Sequence, residues 1–142
     1  MSNTSASTPA ETANGGARRW IIVCLLGLGM VIAYVDRANI SVAIAIPEFI
    51  DFFHLSDTDR GTVSSAFFWS YAALQIPAGW VVDRFGTKLP YAFCFLFWCM
   101  AAAGAALTRS VSQLTILRVM LGAGEAIAPP ASFRWIRYHF AE

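Results

Sequence analysis

Four ionisable residues lie where charge is costly. Asp36 and Arg37 interrupt one long apolar run, and Arg118 and Glu125 lie inside another. A charge at the centre of a membrane span costs roughly 2.5–3.5 kcal/mol on insertion scales. Two in one run cost about 5–7 kcal/mol, and the Leu, Ile, Val and Phe residues of residues 114–133 offset only about 2–4. Such a helix needs partners or water, which makes its charges functional candidates. The four charges sum to zero, as mutual pairing requires. A guanidinium offers a planar fork of donors that fits a carboxylate, so Arg37 and Arg118 are candidate anion binders. Asp36 and Glu125 are candidate proton carriers, because burial and a neighbouring arginine both act on a carboxylate's hold on its proton. The competing reading is a salt-bridge network that only locks two helices together.

Spacing arranges these groups. Arg118 and Glu125 are seven residues apart, hence on one helix face and about 10 Å from each other. With the first helix running outward and the fourth inward, Asp36, Arg37 and Arg118 share the outer half and Glu125 lies deeper. Further polar groups line the same faces. Tyr34 is three residues before Arg37, Asn39 and Ser41 come after it, and Tyr71 and Gln75 are four apart on one face. They are candidate substrate contacts, with helix–helix hydrogen bonding as the plain alternative. Pro77 and the pair Pro129-Pro130 are expected to kink their helices.

These residues need helices to hold them, and composition says which kind. The chain has 142 residues, 57% hydrophobic and 13% charged, against roughly 25% charged in a soluble domain. Lys and Arg number 10 against 9 acids, so no basic face for nucleic acid is expected. At roughly 20 residues per crossing, the length holds four spans and little else. The expected spans are about 20–47, 61–82, 89–108 and 114–133. Residues 1–17 are rich in Ser, Thr, Ala, Asn and Gly and read as a disordered cytoplasmic tail. Arg18 and Arg19 before an apolar run resemble a signal peptide, but the run continues to Pro47, too long for one. Residues 48–60 read as an exposed outer loop. In hydrocarbon each span must be helical, because backbone groups have to bond within the segment. Close packing is expected where small residues cluster, at 101–106 and at Gly122 and Gly124.

Arg18, Arg19, Arg84, Lys88, Arg134 and Arg137 fall on one side of the spans, and Arg60 and Arg109 on the other. The basic side is cytoplasmic, which puts both ends of the chain inside. Cys24, Cys94 and Cys99 are an odd number without a CxxC pair, and read as buried free thiols. No metal-ligand cluster and no nucleophile–base pair is visible, so neither an enzyme nor a cofactor is expected. His54 and His139 read as solvated surface residues.

One turn carries a family motif. Gly79-Trp80-Val81-Val82-Asp83-Arg84-Phe85-Gly86-Thr87-Lys88 resembles the GxxxDRxGxK signature of the major facilitator superfamily. There it lies in the cytoplasmic turn between helices 2 and 3, where the loop charges independently put it. Gly79 would permit close helix approach, and Gly86 a left-handed turn. The resemblance implies a gating role for Gly79, Asp83, Arg84, Gly86 and Lys88. Residues 34–41 (YVDRANIS), 67–71 (FFWSY) with 75–79 (QIPAG), and Arg118 with Glu125 and Pro130-Ala131 are similar to helices 1, 2 and 4 of the anion:cation symporter family. Residues 135–142 resemble its WFPxxER segment, with His139-Phe140-Ala141 replacing the usual aromatic-Phe-Pro. That family includes bacterial hexuronate, galactonate and tartrate carriers.

The resemblance implies an all-α membrane protein, its four transmembrane helices corresponding to helices 1–4 of a twelve-helix fold. Residues 18–142 would then be part of an N-terminal six-helix domain built from inverted repeats, with helices 1 and 4 in corresponding positions. The expected function is proton-coupled symport of a small organic anion, such as a sugar acid, across the inner membrane. Sodium coupling stays open. The expected partners are that anion, protons and the lipid bilayer. By itself the chain is expected to need further C-terminal helices for transport. Two alternatives stand beside this: a self-contained four-helix exporter, and a truncated product that only binds a partner.

Overall fold

A computed structural model describes residues 9–140, all of its regular elements helical. They are α1 (Pro9–Ala43), α2 (Pro47–Phe53), α3 (Asp57–Phe85), α4 (Lys88–Ala105), α5 (Val111–Glu125) and α6 (Ala128–Phe140). The tail expected to be disordered divides. Residues 1–8 lie outside the described residues, whereas 9–17 are the first turns of α1. Pro9 occupies the first helical position, where its missing N–H is no loss, and the alanines after it favour helix.

The breaks between elements have local causes. Pro47 cannot continue α1, and Ile46 before it is extended. The outer loop expected over 48–60 is therefore partly helical. The short α2 ends in a Schellman turn: His54 sits at φ 52°, its N–H bonds the Asp51 carbonyl at 3.3 Å, and Leu55 N–H bonds that of Ile50 at 3.0 Å. Leu55 is buried as the turn's apolar contact. Ser56 then caps α3 in a reciprocal box with Asp59. Asp59 N–H donates to Ser56 Oγ at 3.2 Å, and Ser56 N–H to Asp59 Oδ2 at 3.0 Å. The Ser56 hydroxyl also donates to Asp59 Oδ2, at 2.6 Å, and this bond, with that from Ser56 N–H, favours the charged carboxylate and holds the Asp59 carboxyl below its ordinary range.

Pro77 stays inside a continuous α3, whereas Pro129-Pro130 break the fourth span. Pro129 supplies no N–H to the Glu125 carbonyl, and its ring crowds that carbonyl. The chain unwinds at residues 126–127 and restarts as α6, so Glu125 is the last residue of α5.

Among the described residues, three helical stretches are long and apolar enough to cross a membrane: Ala17–Ala43, Lys88–Ala105 and Val111–Phe140, the last spanning α5 and α6. The second expected span lies in α3, which Ser64, Ser65, Ser70, Tyr71 and Gln75 make less apolar than the others. α5 is the hub, packed along α3 and α4, while α1 leans on α6. Two glycines allow this approach. A Cβ on Gly122 would run into Ser70 Oγ and the Phe67 carbonyl, and one on Gly124 would meet the Trp98 backbone at 3.2 Å. A Cβ on Gly79 would meet nothing within 4 Å among the described residues.

The buried core consists of three small clusters, around Ile40, Val63 and Leu114, around Phe67, Trp98 and Leu121, and around Val82, Ile127 and Ala131. Large apolar side chains such as Ile76, Leu89 and Leu107 are more than three-quarters exposed, as suits a surface facing hydrocarbon or further helices. Cys24 and Cys99 share that surface and Cys94 is half-buried, which corrects the expectation of buried thiols. A thiol is a small hydrophobe and gains as much from an apolar surround as from a core.

Candidate substrate and coupling site

Arg37 and Glu125 meet at the middle of the bundle. Arg37 donates Nη2–H at 2.9 Å and Nε–H at 3.1 Å, both to Glu125 Oε2. The other oxygen, Oε1, is buried without a hydrogen-bond partner. The Glu125 side chain is fully buried and that of Arg37 is 18% exposed. Three rings surround the guanidinium. Its Cζ lies 4.6 Å from the Tyr71 ring centre, 5.1 Å from Phe67 and 5.3 Å from Tyr34, and Phe67 and Tyr71 stack on each other. Cation–π attraction of this kind strengthens when water is excluded. The tyrosines thus present ring faces to Arg37, and their hydroxyls make no hydrogen bond among the described residues.

Asp36 turns the other way. Its Oδ2 accepts the indole N–H of Trp98, on α4, at 2.8 Å. Arg118 is 9% exposed. It makes an ion pair with neither Asp36 nor Glu125 among the described residues. Instead it lines a cavity of about 440 Å³ beside α2, with Asn39, Ile40, Leu114 and the phenylalanines of α2 around it.

The candidate residues therefore separate into three sets. Arg37, Glu125, Tyr34 and Tyr71 form one constellation, Asp36 a second with Trp98, and Arg118 with Asn39 a third at the cavity. Gln75 lies one turn beyond Tyr71 on α3, half-buried, without a hydrogen bond among the described residues. Depth from spacing alone put Arg37 beside Asp36 and Arg118. The long arginine side chain reaches down to the deeper Glu125 instead. Sequence reasoning passed over Trp98 and Phe67. For Trp98 a signal existed: an indole far from the membrane interface needs an acceptor for its N–H.

The family motif sits at the other end. Gly86 has φ +79° with ψ 178°, a conformation essentially reserved for glycine, so this residue does turn the chain between α3 and α4. Asp83 pairs with Arg134 of α6, which ties α3 to the segment after the helix break. Arg84 and Lys88 are exposed on either side of the turn.

A helical multi-pass membrane protein with a buried, charge-paired centre is the class that this architecture defines. The chain belongs to the Major Facilitator Superfamily, which it matches over residues 26–142. It is 34% identical over 134 residues to a D-galactonate transporter of Escherichia coli, covering 94% of this chain and 31% of that protein. It is 39% identical over 120 residues to a probable sulfoacetate transporter of Cupriavidus necator, covering 84% and 27%. A hexuronate transporter of Escherichia coli is 32% identical over 116 residues, covering 82% and 26%. These relatives are transporters of the anion:cation symporter type, not enzymes. The chain spans about 30% of the length of the curated relatives it matches.

Proposed function

We propose that these residues form the first four helices of a twelve-helix, proton-coupled symporter for a small organic anion, with both described ends on the cytoplasmic side of the inner membrane. In this assignment α5 and α6 together are helix 4 and α2 belongs to the outer loop. The relatives' names give galactonate, sulfoacetate and hexuronate. All three ions carry a carboxylate, and the substrate class rests on that shared group.

The observation that carries the reading is the buried Arg37–Glu125 pair with one carboxylate oxygen unpartnered. A purely structural buried pair is stable only when its remaining lone pairs are satisfied. This one is left half-satisfied, next to three aromatic faces. An arriving carboxylate competes for the two N–H groups that Arg37 now gives Oε2. Once these are withdrawn, Glu125 is a buried charge without a partner, and taking up a proton relieves it. Binding of the anion and of the proton are thereby linked in sign. Arg118 collects the anion at the outer cavity and Asn39 adds a neutral contact there. Tyr34 and Tyr71 hold the Arg37 fork, and Gln75 offers a hydrogen bond further along the same face. Asp36 is the second proton site. At the inner end, the Asp83–Arg134 tie and the glycine turn gate the cytoplasmic side.

The test uses the full reading frame that carries this chain, reconstituted in vesicles. Glu125→Gln abolishes proton movement driven by D-galactonate while substrate exchange persists; coupling that survives the substitution removes Glu125 from the mechanism. Arg118→Ala lowers uptake, and full uptake by that variant overturns its role in binding.

A further inference from the structure

Trp98 is a buried side chain with a polar N–H that this scheme leaves unused. It is 3% exposed in the middle of α4. Its N–H is committed to Asp36 on α1. Its backbone lies on α5, against Gly124, where an added Cβ would come within 3.1–3.2 Å of Trp98 N, Cα and Cβ. Gly124 immediately precedes Glu125. One residue of α4 therefore touches both helices that carry the acids, by a hydrogen bond on one side and by packing on the other. Phe95 stands edge-on to the indole at 5.4 Å and Phe67, Leu121 and Ala33 close the cluster, so the ring plane is set.

The alternative open to Asp36 is Arg37, the next residue on α1. A carboxylate free to turn would compete with Glu125 for Arg37. The indole holds one oxygen on the α4 side, and the guanidinium is left to Glu125 alone.

The geometry points to Trp98 as a positioning residue for coupled transport: its N–H keeps Asp36 away from Arg37, and its seat on Gly124 passes a shift of α5 to that hydrogen bond. The inference rests on the proposed roles of Asp36 and Glu125 as the coupling acids. Groups that orient a functional side chain are as much a part of a site as the side chain itself.

Two substitutions in the full-length protein test it. Trp98→Phe removes the donor and keeps an aromatic ring on Gly124. Replacement of Trp98 by β-(3-benzothienyl)alanine keeps the whole bicyclic shape and removes only the N–H, which guards against a folding defect. The first readout is labelling of Asp36 by dicyclohexylcarbodiimide, with the modified peptide read by mass spectrometry. Loss of a hydrogen bond to a charged group is expected to raise Asp36 labelling about tenfold, with Glu125 labelling unchanged. Labelling of Asp36 that stays at the wild-type level overturns the inference whatever transport does.

The second readout is D-galactonate uptake. Proton-driven accumulation is expected to fall about tenfold while the KM for exchange without a gradient stays within about twofold. A tryptophan that served packing alone would lower both together, and that result also overturns the inference. Asp36→Asn separates the two levels. If it leaves proton-driven uptake intact, the coupling role of Asp36 fails, while the labelling result still decides whether Trp98 holds it.

Discussion

Among the described residues, two arginine–carboxylate pairs join one helix to another, and they differ in everything but their chemistry. Arg37 and Glu125 join α1 to α5 within the bundle, with side chains 18% and 0% exposed. Arg134 and Asp83 join α6 to α3 near the α3–α4 turn, with side chains 23% and 76% exposed. The outer member of the second pair keeps its water, so forming or breaking the contact changes little. The first pair has given up its water on the carboxylate side. Breaking it strands a charge in a medium that cannot solvate it. The exposed pair can therefore form and break at little cost. The central pair opens at little cost only when something replaces one partner.

The contrast can be broken most forcefully at its buried end. Arg37→Ala leaves Glu125 without a partner and is expected to cost about 3–5 kcal/mol, seen as a large drop in thermal stability in detergent. Adding Glu125→Gln to that variant should recover much of the loss. If the double variant is no more stable than the single one, the pair is not the isolated buried charge described here.

The next largest effect lies beside it. Gly122→Ala forces α3 and α5 apart against Ser70 and the Phe67 carbonyl, an overpacking that costs typically about 1–3 kcal/mol. Gly79→Ala meets open space and should stay within about 0.5 kcal/mol. Melting curves of the two variants measure this directly, and equal destabilisation would contradict the packing described for α3 and α5.

Asp83→Asn at the exposed pair is expected to change stability by about 0–1 kcal/mol. Its signature is kinetic, a change in the rate of exchange rather than in melting temperature. A loss of stability as large as that of Arg37→Ala would erase the distinction between the two pairs.

The smallest effect is at the outer cap of α3. The bonds from Ser56 hold the Asp59 carboxyl below its ordinary range. A lowered folded-state value means that the stabilisation is complete above the unfolded value and is lost as pH falls through the lowered one. Hydrogen exchange of the first turn of α3 should therefore accelerate in acid before the rest of the helix, and not at all in Asp59→Asn over the same range. Under the proposed function the central pair would respond to substrate, whereas the cap responds only to bulk acid.

Much of this molecule is legible in its sequence, and the limits have physical reasons. The four charges in apolar runs are visible because the cost of burying charge depends on composition and needs no coordinates. The turn at Gly86 is visible because few residue types tolerate its backbone. The break after Glu125 is legible only as an expected kink at Pro129-Pro130, since Pro77, which lacks a donor too, stays inside a continuous α3. The helix around residues 9–17 and the helical part of the 48–60 loop are less so, since helix propensities there are weak. At Gly79 the Cβ position is open among the described residues. A small residue allows close approach, and only a neighbour makes one.

The amino-acid sequence by itself determined the class of the protein, which of its charges lie in apolar runs and the family to which it belongs. These rest on hydropathy, composition and a motif whose residues are local in the chain. Only the tertiary structure decided the partners: Arg37 with Glu125, Asp36 with Trp98, and Arg118 facing the cavity beside α2. Spacing along a helix fixes a face and a height, but not which way that helix is rotated against its neighbours. Here that rotation is set by Gly122 and Gly124, which bring the backbones of α3 and α4 onto α5 and so choose the side chains that meet.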